Sequence, residues 1–438
     1  MLKIKPKTME RLIKPSVGLV KSGEASIVIS SFTPEQALER EARIQEFLTR
    51  AVDDVYPSRE ALADELRSGK RLTAYLGIDP TAPDMHIGHE SQLHKLRRLQ
   101  ELGHRVILLV GDFTARIGDP SDKSAARQRL THNQVLQNAQ SYRDQANKIL
   151  DLDNPDNPVE MMFNSEWLDQ LKFDEIVELA AEFTVQQISQ RDMFQRRFEE
   201  GKPVYLHEFL YPLMQGWDSV AMDVDIEIGG SDQIFNMLVG RDLMKSHRGK
   251  GKFVVAGSLL VDPSGKKMSK TEGNMITLGD RPEAMYHKIM MWSDQIVPRA
   301  LELCTAISMN EIRAIEAKMM SGELDGLSAK RYLAKTLVTE LHSSEDAVIA
   351  EASYNAVTQG HVDKEIITIQ LETGATIIDA LVASGLTTSR GNARRLIEQH
   401  GVRIDGETVT NVERVISDNQ VLQVGKKTKG SYRRIKTI

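Results

Sequence analysis

The chain has 438 residues, 41% of them hydrophobic and 27% charged. That is the profile of an ordinary globular protein, long enough for two to four domains at roughly 100–200 residues each. Its formal net charge of −6 excludes a polycation, so any nucleic acid must meet a local basic surface. Cys304 is the single cysteine, which excludes an intrachain disulfide and a cysteine-based zinc site and favours a reducing compartment, the cytoplasm. No run of about 18 apolar residues offers a membrane span.

Residues 1–33 are basic and lack the apolar core of a secretory signal, so a solvated arm is expected, with an organellar presequence as the alternative. Residues 34 to about 70 read as helical, started by Thr33, Pro34 and Glu35. AYLGIDP, residues 74–80, reads as a short buried strand running into a loop. A helix follows over 87–102, with Leu93, Leu96, Leu99 and Leu102 recurring and Gly103 stopping it. VILLV, residues 106–110, is a second buried strand, and the succession predicts a βαβ unit and a parallel sheet. Residues 123–205 are helical in pattern, broken by NPDNP at 154–158. DVDIEIGG, residues 223–230, alternates as a strand and ends in a glycine loop. Its acids Asp223, Asp225 and Glu227 share one face, where a solvated edge is expected in preference to a metal site. Residues 282 to about 354 are helical again, and a linker at 360–363 precedes a last module of different charge. From 377 to 438 there are eleven Lys or Arg against six Asp or Glu, a charge of +5 beside −11 for the remainder. Such asymmetry points one end of the chain at a polyanion.

Two segments carry chemistry. DPTAPDMHIGH, residues 79–89, lies where a buried strand passes into a helix, the place where open α/β sheets bind ligands. The helix N-terminus there offers N–H groups and a favourable dipole to phosphate. His86 and His89 can donate to phosphate oxygens, and Gly88 leaves room for a flat ring; two histidines at a helix start would otherwise be unremarkable caps. A zinc helix is not expected, because the next histidine after His89-Glu90 is His94, a spacing that does not stack two ligands on one face. DPSGKKMSKTEGN, residues 262–274, is a glycine- and serine-bearing loop in which Lys267 and Lys270 can converge on one anion. It lacks the spacing of a Walker loop, and alone it reads as a solvated surface turn rather than a phosphate site.

Together and in this order, HIGH and KMSKT resemble the two motifs of class I aminoacyl-tRNA synthetases. The resemblance narrows to the tyrosyl-tRNA synthetase family through AYLGIDPTAPDMHIGH, GDFTARIGDPSDK, YPLMQGWDSVAMD and EIGGSDQIFN. It implies an α/β, Rossmann-like parallel-sheet catalytic domain with a helical insertion, a helical anticodon-side domain and a small α+β S-four-like C-terminal domain. The expected division is an arm at 1–33, a catalytic domain at 34–281 with the insertion at about 123–205, an anticodon-side domain at 282–360 and an RNA-binding domain at 365–438. The implied reaction is attack of the tyrosine carboxylate on the α-phosphate of ATP, with Mg²⁺ accompanying the phosphates and no structural metal, followed by transfer to tRNA(Tyr). Such chemistry needs positioning and positive charge rather than a protein nucleophile.

By the same resemblance, Tyr75 and Asp218 grip the substrate phenol, and Asp119, Tyr211 and Gln215 meet its α-amino group, with Gln233 near the carboxylate. Gly77, Asp79, Gly88, Gly230, Asp232, Met268, Ser269 and Thr271 fall at ATP-contacting positions. Thr81, His86, His89, Lys123, Lys267 and Lys270 fall at catalytic ones, and Arg127 joins Lys123 on a loop near the phosphates. Judged alone, Tyr75 in an apolar strand reads as core and residues 229–232 as a plain turn, whereas Asp218 on an apolar helix face wants a partner. Tyr211, Gln215 and Asp218 are spaced to share a helix face. Glu227, Leu76 and Gln92 depart from residues common in the family.

The last module resembles the S-four-like RNA-binding fold over IIDALVASGLTTSRGNARRLIEQHGVRIDGETVT. Ser389 can cap a helix bearing Arg390, Arg394 and Arg395, Asp405-Gly406 suits a hairpin turn, and Lys426, Lys427 and Arg433 extend the basic surface. A solvated basic tail is the alternative. The resemblance further implies a homodimer built on the 123–205 segment and no membrane partner. Two other readings stand beside it: a tryptophanyl-type class I ligase, which would not need the Tyr75–Asp218 pair, and a non-enzymatic RNA-binding relative.

Overall fold

The computed structural model describes residues 32–120, 130–261, 275–358, 368–372, 374–387, 389–418, 420–425 and 431–437. These form two compact units that divide between Ala347 and Val348.

In the first unit, α1 (Pro34–Thr49) begins at a Thr33–Gln36 capping box. The expected long helix ends there. β1 (Val52–Tyr56) and α2 (Arg59–Arg67, capped by Ser58) occupy the rest of that stretch. The break has local causes: Ala51 takes a left-handed φ of 50°, and Pro57 disfavours helix at the residue before it. β2 (Thr73–Ile78), α3 (Ile87–Glu101) and β3 (Arg105–Val110) are the anticipated βαβ unit, with Gly103 at φ 88° closing α3. The segment expected to be helical over 123–205 also supplies a strand, β4 (Glu160–Phe163), among short helices. At four residues it is too short to show a period, and pairing with β3 makes it a strand: Ile107 faces Glu160 and Val110 faces Phe163. A bidentate Arg105–Glu160 pair at 2.6–2.7 Å fastens it.

α4 (Leu206–Met222), β5 (Ile226–Gly230), α5 (Ile234–Arg248) and β6 (Phe253–Gly257) complete the layer. The strand order is β1-β6-β5-β2-β3-β4, with β1 antiparallel to β6 and the other neighbours parallel. β5 is therefore interior, every residue of it buried, and the expected solvated acidic edge does not exist. Asp223 is the left-handed C-cap of α4, Asp225 accepts the Thr73 N–H at 3.0 Å, and Glu227 is buried in an ion pair with Lys252. Acid–apolar alternation looks the same for a wet edge and for an interior strand whose acid is matched by a lysine just before the next strand.

The core lies on both faces of this sheet, with Leu93, Leu96 and Leu99 of α3 and the Val106–Val110 run of β3 almost wholly inaccessible. Each such side chain contributes about 1.5–3 kcal/mol by leaving water. Helices α6 (Pro282–Met290), α7 (Val297–Cys304), α8 (Met309–Ser321) and α9 (Gly326–Leu341) belong to the same unit. Buried Arg50 ties them to α1 by donating to the carbonyls of Glu302, Thr305 and Ile307 at 2.6–2.9 Å. α10 (Ser344–Thr358) crosses the division between units.

The second unit contains β7 (Thr368–Leu371), α11 (Ile377–Ala383), α12 (Arg390–Glu398), β8 (Val402–Ile404), β9 (Glu407–Thr408), β10 (Val421–Val424) and β11 (Ser431–Thr437), with strand order β7-β11-β10-β8-β9. It has its own core, including Ile377, Leu381, Ile397, Val402, Leu422 and Ile435. Asp405 (φ 51°) and Gly406 (φ 86°) make the two-residue turn between β8 and β9. The basic C-terminal stretch, expected as a charged tail, is in part a strand: β11 pairs with both β7 and β10.

Candidate active site

β2 continues to β3 on one side, and the chain later returns to β5 on the other. This reversal leaves a crevice at the carboxyl ends of β2 and β5. Asp79 stands just beyond β2. Thr114 Oγ1 donates to its Oδ1 at 2.6 Å and the Tyr211 hydroxyl to its Oδ2 at 2.8 Å. Burial pushes the Asp79 carboxyl up to about 7, against the pull of those two donors and with Asp119 and Asp112 adding to the rise. A Cβ on Gly111 would lie 2.0 Å from Asp79 Oδ1 and 2.4 Å from Thr114 Oγ1, so no side chain fits beside this pair.

Tyr75 on β2 and Asp218 on α4 are both buried, and they lie close enough for the Asp218 charge to act on the Tyr75 hydroxyl. The Tyr75 hydroxyl is 2.9 Å from Ser219 Oγ. Asp218 accepts from Trp167 Nε1 at 2.7 Å and Asn164 Nδ2 at 3.2 Å. Burial raises both groups well above their ordinary values, and the Asp218 charge adds to the rise at Tyr75. Tyr211, Gln215 and Asp218 all lie on α4, as their spacing predicts. Gln215 Nε2 donates to Glu227 Oε1 at 3.0 Å. Across the mouth, Gln233 Nε2 donates to Asp119 Oδ2 at 2.8 Å, and Asn236 Nδ2 donates to Gln233 Oε1 at 2.9 Å.

His86 is the N-cap of α3, with its Nδ1 accepting the Gly88 N–H at 3.1 Å, and His89 Nδ1 accepts the His86 N–H at 3.1 Å. The rings stack with centroids 3.8 Å apart. With both Nδ1 atoms acting as acceptors, each neutral ring carries its proton on Nε2, the donor an oxyanion would need. A Cβ on Gly88 would come within 2.9 Å of the His86 ring, so the glycine serves the cap itself as well as any ligand. Residues just after the second lysine motif run alongside this cap: Ile87 N–H donates to Ile276 O at 3.0 Å and Leu278 N–H to Met85 O at 2.8 Å. Thr81 is exposed in a tight turn, its N–H donating to Asp79 O at 2.8 Å. Gly77 is the exposed position of β2, Asp232 is exposed, and a Cβ on Gly230 would meet Asp232 Oδ1 at 2.5 Å. Leu76 and Gln92 are buried, Gln92 tightly against Gly257.

Lys123, Arg127, Lys267, Met268, Ser269, Lys270 and Thr271, with Lys426 and Lys427, lie outside the described residues. In the second unit, Ser389 caps α12 by accepting the Asn392 N–H at 3.2 Å. Arg390, Arg394 and Arg395 are exposed on that helix, Arg390 paired with Asp379 at 2.5 Å and Arg395 with Asn392 at 2.7 Å. Arg433 is half-buried on β11.

Several contacting side chains escaped the sequence reading. Asn164 and Trp167 follow β4, a strand that was itself not anticipated. Ser219 sits beside Asp218 and Lys252 just before β6; neither carries a local signal. Buried Arg191 lies over the Phe235 ring at 5.1 Å, with Asp119, Tyr211 and Asp232 in its field.

The model for class I tRNA synthetases of the tryptophan and tyrosine type matches residues 67–359, and that for the SYY-like C-terminal domain of tyrosine–tRNA ligase matches 357–427. The tyrosine–tRNA ligase of Moorella thermoacetica is 42% identical over 405 residues, covering 90% of this chain and 96% of the relative. That of Thermotoga maritima is 39% identical over 399 residues, with 90% and 96% covered. A C-terminally truncated mitochondrial tyrosyl-tRNA synthetase of Aspergillus nidulans shares the fold, with TM-score 0.62, 22% identity, and 74% of this chain and 100% of that one covered. So does the Archaeoglobus fulgidus tyrosyl-tRNA synthetase solved with L-tyrosine, with TM-score 0.56, 22% identity, and 72% and 99% covered.

The raised Asp79 value gives a stability test with a definite sign. Between about pH 4 and 7 the folded protein holds a proton on Asp79 that the unfolded chain releases, so this group costs stability as pH rises. Asp79→Asn removes that cost. Its unfolding free energy relative to the parent should rise from pH 4 to 7 and level off above, by up to a few kcal/mol, in denaturant titrations at a series of pH values. A difference that does not change with pH would contradict the raised value.

Proposed function

The chain belongs to the tyrosine–tRNA ligase family of class I tRNA synthetases, and from that premise we propose which of its residues carry the reaction. Tyrosine is activated by ATP to tyrosyl-adenylate with release of pyrophosphate, then transferred to the 3′ end of tRNA(Tyr). The observation that carries the site assignment is that Tyr75 and Asp218 are buried together at one end of the β2–β5 region, with the Asp218 charge acting on the Tyr75 hydroxyl. A phenol hydroxyl reaching that end finds both a carboxylate and a hydroxyl. Phenylalanine would cover both without supplying the hydrogen bond that the phenol adds to their existing ones, a kind of discrimination for which this family is itself the standard illustration.

In this reading Asp119, Tyr211 and Gln215 receive the substrate ammonium, and Gln233 lies by the carboxylate. Gly77, Asp79, Gly88, Gly230 and Asp232 border the adenylate. Thr81 and the Nε2–H groups of His86 and His89 face the phosphates as negative charge shifts to the leaving pyrophosphate. Lys123, Lys267 and Lys270, with Met268, Ser269 and Thr271, supply further contacts to ATP. Mg²⁺ accompanies ATP, where it would neutralise the phosphate oxygens.

The assignment of 34–281 as catalytic, 282–360 as anticodon-side and 365–438 as RNA-binding follows the same reading. The exposed arginines of α12 support the RNA role of the last of these. A homodimer is supported by exposed apolar side chains along one stretch, Phe173 at 81%, Val185 at 69% and Leu206 at 80%. The single, fully buried Cys304 suits a cytoplasmic setting, and among the described residues no helix is long and apolar enough to cross a membrane.

ATP–pyrophosphate exchange, run separately with tyrosine, phenylalanine and tryptophan, should proceed with tyrosine alone. Asp218→Asn should weaken tyrosine selection more than ATP binding, and an unchanged tyrosine-over-phenylalanine preference would sink the pocket assignment. Deleting residues 365–438 should spare exchange and cripple tRNA charging; equal loss of both would argue against a separate RNA module. Phe173→Glu should shift sedimentation from dimer toward monomer, and a parent protein that sediments as a monomer would remove the dimer from the proposal.

A further inference from the structure

Behind the crevice lies a pair of charges that the reaction does not touch. Lys252 is fully buried, and Glu227 is 1% exposed on the interior strand β5. They form a close ion pair. Room for the ammonium is built in: a Cβ on Gly240 of α5 would lie 2.4 Å from Lys252 Nζ. Two charges taken out of water are costly, and an apolar pair of similar volume often packs a core as well or better. What an apolar pair could not do is impose direction on neighbouring hydrogen bonds.

Each end of this pair constrains a pocket residue, the Lys252 end by position and the Glu227 end by direction. The Lys252 ammonium can only donate, and it reaches Ser219 Oγ at 2.5 Å as well as Glu227. Ser219 Oγ is thereby an acceptor toward Lys252, and it stands 2.9 Å from the Tyr75 hydroxyl. Lys252 Nζ also lies 5.7 Å from the centroid of the Tyr75 ring. At the other end, Glu227 Oε1 can only accept, so the Gln215 amide must turn its NH₂ toward it, at 3.0 Å. Gln215 Oε1 then faces away from Glu227, as an acceptor. Tyr75 is the neighbour of Glu227 across the β2–β5 pairing, so strand register holds both ends together.

We propose that the buried Lys252–Glu227 pair is a positioning device for substrate selection, setting the Tyr75 hydroxyl through Ser219 and the amide orientation of Gln215 directly. The inference rests on the pocket reading above. It adds three residues to it: Lys252, Glu227 and Ser219 hold in place the Tyr75 hydroxyl and the Gln215 amide that meet the substrate.

The test uses the full chain and two variants. Lys252→Met removes the charge at similar length, and Ser219→Ala cuts the link to Tyr75 with almost no change of volume. Pyrophosphate exchange gives KM for tyrosine and for ATP and the tyrosine-over-phenylalanine ratio in kcat/KM, and thermal unfolding reports folding. Each folded variant should raise the tyrosine KM by about tenfold, hold the ATP KM within about twofold, and lower the tyrosine-over-phenylalanine ratio. Should Lys252→Met not fold, Ser219→Ala decides alone. The inference is overturned if the folded variants keep the parent ratio and tyrosine KM while Asp218→Asn loses them. It is also overturned if they lose kcat uniformly with both KM values unchanged, the mark of a merely structural role. An unchanged ratio in Asp218→Asn itself would instead bring down the pocket reading, and the inference with it.

Discussion

The register of β2 is the constraint on which the site depends. Its residues pair with β3 from Thr73–Arg105 to Ile78–Val110 on one side, and with β5 from Ala74–Ile226 to Leu76–Ile228 on the other. Parallel partners point to the same face, so this register puts Tyr75 beside both Ile107 and Glu227. A slip of one residue would send Tyr75 through the sheet and offer Leu76 in its place. The same pairing delivers Asp79 to the open end, where Thr114 and Tyr211 can reach it from separate segments. A two-sided pairing with both faces buried is among the most strongly specified arrangements a strand can have. The chemistry therefore hangs from the least slippery part of the fold.

What the register assembles is a concentration of carboxyl groups in a place with little water. Asp218 and Glu227 are buried and Asp79 is half-buried, with Asp119 nearby, against the buried cations Lys252 and Arg191. Such a cluster holds a proton or calls for a cation. The raised values of Asp79 and Asp218 are the protein's answer when no ligand is bound. A substrate bearing an ammonium group is the other answer, and its binding would favour the ionised forms. The pocket is thus preorganised at a cost in stability that a cationic substrate offsets, the usual bargain where groups are fixed before their partner arrives.

The sequence disclosed what is decided locally and concealed what is decided by distant pairing. The βαβ unit, the stop at Gly103, the cap at Ser389 and the turn at Asp405-Gly406 each depend on neighbours within a few residues, and all were legible. β1, β4 and β11 were not, because short strands carry too little period to announce themselves. The three-acid stretch was misread for a related reason: whether Glu227 meets water or Lys252 depends on which strand lies beside β5. The residues of the candidate site came through a resemblance between motifs, but Asn164, Trp167 and Lys252, which hold those residues in place, belong to no motif. Positions that touch a ligand recur as recognisable runs; positions that orient them are scattered wherever the fold brings a side chain close.

The two units divide the electrostatic work in opposite directions. The candidate site gathers acids around a buried end, which suits the ammonium group of one small zwitterion. It would repel a long polyanion were the whole surface built that way. The basic residues are placed instead on a unit with its own core, where Ala393 and Ile397 face inward and Arg390, Arg394 and Arg395 face solvent on the same helix. A charge of +5 in the last 62 residues, beside −11 elsewhere, follows from that placement. Backbone recognition by exposed arginine needs long-range attraction and tolerates water, whereas selection of a phenol needs burial and exact pairing of hydrogen bonds. A single surface cannot satisfy both demands. A chain that must hold a small substrate tightly and a large polyanion reversibly is better served by two cores than by one.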